Sequence, residues 1–152
     1  MPLPPPRPAL ALGIELTLVR TEDGGRVSPV VPAGDGTYRP NWGLPSMAPP
    51  GQTGAPVWRF SRTPVEPGDT VHAVILVVYP RTEAQWRAEV LPGAVLPMYD
   101  GPRVHGHGRV LWTGATRTPV PEQDAARFAR WLAHPGDVVD GGGVPVVGPP
   151  PR

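Results

Sequence analysis

Three observations predict an all-β fold, a barrel or a sandwich, for this chain of 152 residues. Short apolar segments recur along it, several of them alternate apolar and polar residues at period two, and glycine or proline turn signals separate them. Proline (25) and glycine (19) exceed a quarter of all residues, yet they concentrate in 1–9, 45–56 and 141–152. The stretches between are rich in Val, Leu and Trp. A single domain is therefore expected over 10–115, with a proline-rich arm at 1–9, a linker and short helix at 116–135, and a disordered tail at 136–152.

Residues 1–9 read as a polyproline II arm. Beyond them, Leu12, Ile14, Leu16 and Leu18 alternate with Gly13, Glu15, Thr17 and Val19, the pattern of a half-buried strand. It ends at Asp23-Gly24-Gly25, where glycine supplies the positive φ of a hairpin turn. Val27 to Val31 is the expected return strand, and Pro29 places it at an edge or a bulge. Tyr38-Arg39-Pro40-Asn41-Trp42 is an extended, proline-fixed stretch, and 43–56 a loop. Val57-Trp58-Arg59-Phe60 is a short strand expected to carry Trp58 and Phe60 on one face.

Pro67-Gly68-Asp69 is a turn that launches the strand Val71 to Tyr79. Val71, Ala73, Ile75, Val77 and Tyr79 share one face and His72, Val74, Leu76 and Val78 the other, so the strand is expected to be central and mostly buried. Trp86 to Leu91 is expected as a further strand and Pro92 to Pro102 as a long turn. Arg103 to Thr113 is the last strand, with Val104, Gly106, Gly108, Val110 and Trp112 on one face and His105, His107, Arg109 and Leu111 on the other. Its glycines imply close approach of a neighbour or a bend. Pro121, Glu122 and Asp124 suit a helix start, and Ala125, Phe128, Ala129 and Leu132 recur at helical spacing until His134-Pro135. This helix packs on the β domain or folds on a partner.

Net charge is +1, and every basic residue is Arg. The absence of Lys reads as the codon bias of a GC-rich genome or, functionally, as a choice of Arg for bidentate phosphate contacts, and a balanced charge argues against strong non-specific nucleic-acid binding. With no cysteine there is no disulfide, zinc–thiolate site or thiol nucleophile. The prolines of the first residues interrupt any signal-peptide helix, and the run Ala73 to Tyr79 is too short to span a bilayer. The chain reads as soluble and cytoplasmic, with no membrane partner.

Four motifs in order give a family resemblance. They are Asp23-Gly24-Gly25-Arg26-Val27-Ser28-Pro29, then Tyr38-Arg39-Pro40-Asn41-Trp42, then Val65-Glu66-Pro67-Gly68-Asp69 with Tyr79-Pro80 after the strand. The closing segment is Asp100-Gly101-Pro102-Arg103-Val104-His105-Gly106-His107-Gly108-Arg109-Val110. Over about residues 12–113 this order resembles the C-terminal (third) β-barrel domain of elongation factor Tu. The resemblance implies a six-stranded antiparallel β-barrel, and a domain that binds RNA and protein surfaces without doing chemistry. The chain holds no P-loop lysine, so no nucleotide is expected. The family's G domain and second barrel have no counterpart, so the expectation is a stand-alone, diverged module of bacterial cytoplasm.

Carried over by motif, the resemblance puts Arg39, Asn41, Asp100, Arg103 and Gly106 near a partner or RNA, which amide and guanidinium groups would read by shape. Trp42, taken as a loop aromatic, is the expected protein-binding anchor. His105 and His107, with His72, are a candidate zinc set that lacks an acidic or thiol ligand. Ser28, Ser46 and Ser61 lie in no nucleophile motif, and Glu83 and Glu89 form no acid–base pair. The expectation is a non-enzymatic module that binds a protein, an accessory to a translation-related or GTPase partner. The alternative is a tRNA-like RNA ligand. No cofactor is expected.

Overall fold

A computed structural model describes residues 5–135. Its strands are β1 (Arg7–Leu18), β2 (Asn41–Trp42), β3 (Thr53–Gly54), β4 (Val57–Phe60), β5 (Thr70–Val77), β6 (Val95–Asp100) and β7 (Arg103–Thr118). Two helices complete it, α1 (Pro80–Glu89) and α2 (Glu122–Ala133). All strand pairs are antiparallel, in the order β3-β2-β6-β7-β1-β5-β4. The protein is thus mostly β-sheet, but the expected closed six-stranded barrel does not form. Tyr38, just ahead of β2, meets Val57 of β4 at an isolated bridge, and among the described residues no strand pairing closes β3 onto β4. Pro40 and Pro56 flank that bridge and have no N–H to extend the ladder.

β1 follows its alternation. Leu10, Leu12, Ile14, Leu16 and Leu18 are buried inside the curved sheet with Ala73, Ile75 and Val77 of β5, as the period-two pattern predicts. β1 starts at Arg7, so the end of the expected arm is strand; the tail 136–152 lies outside the described residues. β5 is buried on both faces, since Val74 and Leu76 pack on the outer side.

Several expectations are corrected. Residues 80–89 form a helix where Trp86 to Leu91 was read as strand. Pro80 suits its first turn, Glu83 pairs with Arg87 one turn on, and Trp86 and Val90, four residues apart, enter the inner core. Within the stretch 92–102, read as a turn, Val95–Asp100 is strand β6. Pro97 is tolerated because its carbonyl faces Gly43 beyond the end of β2, at 3.0 Å. The return strand at Val27–Val31 is reduced to a single bridge, Val30↔Val65, since Pro29 and Pro32 interrupt pairing. The loop 43–56 includes β3, and Ser46 donates through its N–H and Oγ to Glu89 of α1 at 2.8 and 2.7 Å.

Two bulges re-aim aromatic residues. Between β1 and β7, Gly13 faces Trp112 while Ile14 faces Val110, so Leu111 is an extra residue. Val110 then points inward, and Trp112 points outward, not to one face as the alternation implied. A second bulge, between Val57 and Arg59 of β4, separates Trp58 from Phe60: Trp58 packs outside and Phe60 inside.

On the outer face Trp112 stacks on Phe128, with centroids 5.6 Å apart, and meets the edge of Trp131 at 5.3 Å. These contacts, with Leu132 on Val74, Leu76 and Ala11, seat α2 on the sheet, which settles the packing alternative left open by its sequence. Thr116 of β7 donates to Asp124 of α2 at 2.8 Å. Among the described residues no helix is long and apolar enough to cross a membrane.

Gly13 is the floor beneath Trp112. A Cβ at that position would lie 2.2 Å from the Trp112 indole, so the ring or the strand must shift. Gly13→Ala is expected to destabilise the protein by about 1–3 kcal/mol through overpacking. Urea unfolding checks this; a change within about 0.5 kcal/mol, the range of ordinary surface substitutions, would mean that Trp112 does not lie on Gly13.

Candidate functional site

The turn at 20–25, the Tyr-Arg-Pro segment and the β6–β7 hairpin converge at one end of the sheet. A short 3-10 turn, Thr21–Asp23, ends at Gly24 with φ +97° and turns the chain so that Arg26 folds back. The Arg26 guanidinium donates to the carbonyls of Ser28 and Pro29 at 3.0 and 3.3 Å, and to the Tyr38 hydroxyl at 3.4 Å. The Tyr38 hydroxyl lies 3.4 Å from Nε2 of His105. Arg26 also reaches Asp100 at 3.8 Å, a pair of little energetic weight because Asp100 is 65% exposed.

His105 owes its inward position to a bulge. Met98 faces Gly106 and Tyr99 faces Val104, so His105 is the unpaired extra residue of β7. It is buried, whereas His107 is exposed and His72 lies on the outer face against Trp131. The three histidines read together as a zinc set are therefore apart. Among the described residues no group of three or more His, Cys, Asp or Glu could hold a metal ion. Burial raises the Tyr38 pKa and lowers that of His105, so both are held neutral.

Outward of this cluster runs a polar edge. The pleat of 38–42 points Pro40 and Trp42 inward and Arg39 and Asn41 outward. The Asn41 amide donates to Gln52 at 3.0 Å, and the Gln52 amide donates to the carbonyl of Gly101 at 3.0 Å. Asn41 is thereby tied to the hairpin that carries exposed Asp100 and Arg103. Arg39 diverges from them into a groove of about 310 Å³. Trp58, Leu76, Val78 and Val120 give the groove an apolar lining, and Asp35, Arg39 and Arg59 give it charge. The Arg59 guanidinium lies 4.6 Å from the Trp58 ring centroid, over its face. Asp35 accepts from the Thr37 hydroxyl and N–H at 2.7 and 3.0 Å, which hold its pKa low.

Two expected contact residues are not at the surface. Trp42 is 0% exposed; it belongs to the inner core and donates Nε1–H to the carbonyl of Ala55 at 2.9 Å. The reading of Trp42 as a loop anchor is corrected, because even a two-residue strand alternates its faces. Gly106 is buried too, with space for a Cβ limited by Leu18 and Met98 at 3.1 and 3.2 Å. Trp58 is the tryptophan that is not buried, and sequence reasoning assigned it only to a strand face. Its neighbours Pro56 and Arg59 were the available signal; the bulge that turns it outward was not visible. Compared with known proteins, the chain matches no protein-family model and shows no significant similarity to any curated protein.

Trp42→Ala is expected to cost about 3–5 kcal/mol in urea unfolding, the range for a buried Trp. A loss below about 1 kcal/mol would return Trp42 to the surface.

Stability should also depend on pH through two histidines. Burial is the main cause that puts His105 and His72 below the ordinary value of 6.5. The unfolded chain then takes up these protons at higher pH than the folded protein. Their contribution is full above 6.5 and declines as pH falls through the folded values. The melting temperature is expected to drop between about pH 7 and pH 5, and His105→Gln to flatten part of that slope. An unchanged slope in the variant would remove His105 from the account. Asp69 and Glu89, held low by hydrogen bonds, act in the same direction but at pH below their ordinary values of 3.8 and 4.5.

Proposed function

We propose that the chain is a non-catalytic binding module whose partner is a protein, docked along the edge from Asn41 through Arg39 into the groove at Trp58. The observation that carries the reading is the groove itself. A half-buried Trp beside two arginines in a concave, apolar-walled site has the residue types on which interface energy concentrates. The Asn41–Gln52–Gly101 chain supports it as a polar rim already ordered before a partner arrives. Within this reading the sheet is a diverged form of the elongation factor Tu third-domain barrel, opened at the Tyr38–Val57 seam. Its setting is the bacterial cytoplasm, beside a translation-related or GTPase partner. The absence of catalysis is part of the proposal: Tyr38 and His105, the nearest acid–base pair, are kept neutral and largely out of solvent.

RNA is the second reading, favoured by exposed Asn41 and Arg103 at the hairpin end and by exposed Arg39 beside the groove. Against it, exposed Asp100 sits among them and carries like charge to phosphate.

A photo-crosslinking residue at Thr37, beside the groove, is expected to capture a protein in cells, and Arg59→Glu to abolish that capture. Capture that persists in Arg59→Glu, or that is matched by a cross-linker at Val95, sinks the groove reading. Titration with bulk tRNA at two salt concentrations tests the alternative: phosphate neutralisation gives a steep salt slope, and no binding at low salt ends it.

A further inference from the structure

We infer that the groove at Trp58 takes a carboxylate, which the partner supplies as an Asp or Glu side chain in an extended segment, flanked by apolar residues or proline. The inference rests on the docking reading and names the chemistry of the partner at that site.

Arg59 carries the argument. It lines the groove half-buried, and taking a cation out of water is costly unless an anion or hydrogen bonds replace the lost solvation. Its place is fixed before any ligand arrives. The guanidinium lies over the Trp58 ring, 4.6 Å from the centroid, and the turn at Gly36 packs against it. A Cβ on Gly36 would lie 3.0 Å from Arg59 Nε and 3.1 Å from its Cζ. Nη1 donates to the carbonyl of Trp58 at 2.6 Å. A guanidinium offers five N–H donors, and the others of Arg59 have no acceptor among the described residues. No ion pair among the described residues includes Arg59 or Arg39. Asp35, the carboxylate that lines the groove, is engaged by the N–H and hydroxyl of Thr37. A third arginine belongs to this face. Arg7 of β1 is paired with Thr118, a groove residue, and directly paired residues project to the same side of a sheet.

The groove is thus a preorganised cationic site that lacks its anion. A stacked guanidinium keeps its edge free for a forked, bidentate contact, the geometry that a carboxylate matches. The walls choose the rest of the ligand. Pro56, Trp58, Leu76, Val78 and Val120 are apolar, and a bare inorganic anion would leave them uncovered. An acidic side chain between apolar residues or prolines satisfies both halves of the site. An extended segment suits it, since a proline-containing chain loses little conformational entropy on docking against an aromatic wall.

Selection of random phage-displayed dodecapeptides on the immobilised full chain tests this. Peptides retained by the parent chain and lost by Trp58→Ala are expected to carry Asp or Glu beside Leu, Val, Phe or Pro. One of them, synthesised with blocked ends, is expected to bind at least about tenfold more weakly when its acid is replaced by the amide, the loss of a charge-assisted contact. Arg59→Gln is expected to weaken the acidic peptide to a similar extent and to leave the amide peptide unaffected. Charge reversal guards against a variant that merely misfolds: a peptide with Lys in place of the acid is expected to bind Arg59→Glu more tightly than the parent chain. Groove-directed peptides without an acid overturn the inference, as does an amide peptide that binds equally well, or the recovery of no groove-directed peptide. Displacement of the acidic peptide by bulk tRNA assigns the arginines to phosphate and overturns it too. Capture from Thr37 that still depends on Arg59 leaves the docking reading standing in each of these cases, so the two ideas fail separately.

Discussion

A single inserted residue, Leu111, decides which side of the sheet Trp112 faces, and the outer half of the molecule follows from that. Without the bulge, strict alternation would send Trp112 inward beside Val110, into a core already filled by Trp42 and Trp86. With it, Trp112 lies over Gly13 on the outer face and presents a ring to Phe128 and Trp131. An amphipathic helix of 12 residues is marginal alone. Here it gains an aromatic platform, with Trp58 closing the cluster edge-on to Phe128 at 5.7 Å. Trp58 is in turn the wall of the groove. The register of β7, the seating of α2 and the candidate docking site are thus one linked arrangement.

The inner half depends on a second kind of close approach. Gly108 lets Ile14 and the Trp42 ring come together where a Cβ would meet Ile14 at 2.8 Å and Trp42 at 3.3 Å. One of the two tryptophans of the inner core therefore sits against a residue of β7 that has no side chain. This explains why Trp42 can be enclosed completely although its own strand has only two residues. Its indole N–H is satisfied by Ala55, so enclosure leaves no orphaned donor.

What could be read in the sequence follows from how regular each segment is. β1 was legible because its alternation from Leu10 to Leu18 leaves no other face assignment, and β5 because a continuous apolar run after a turn signal reads as a strand buried on both faces. α2 was legible from its spacing and its proline start. The bulges were not, since an extra residue has no compositional mark, and they account for the misplaced faces of Trp58, His105 and Trp112. β6 was hidden because Pro92, Pro97 and Pro102 signal turns, although Pro97 sits where its missing donor breaks no ladder. Of the candidate site, the motifs were visible and their convergence was not. Arg26 belonged to a motif read as a turn, yet it is the residue that links Tyr38 and Asp100.

The open seam constrains how a partner can bind. An open sheet normally invites another strand to pair with its edge. Here the edges are β3, two residues long, and β4, four residues long with a bulge. The segments beside them carry Pro40, Pro49, Pro50 and Pro56, each without an N–H to donate. An incoming strand would find too few consecutive donors to form a ladder. If a partner docks at this side, as proposed, it must be read by side chains, and those gathered there are Trp58, Arg39 and Arg59 around a groove. A proline-rich ligand suits such an edge, because it too lacks donors and loses nothing by forgoing a ladder. Under the proposed docking reading, the prolines that keep the sheet from closing also disfavour strand addition and leave the groove as the place of contact.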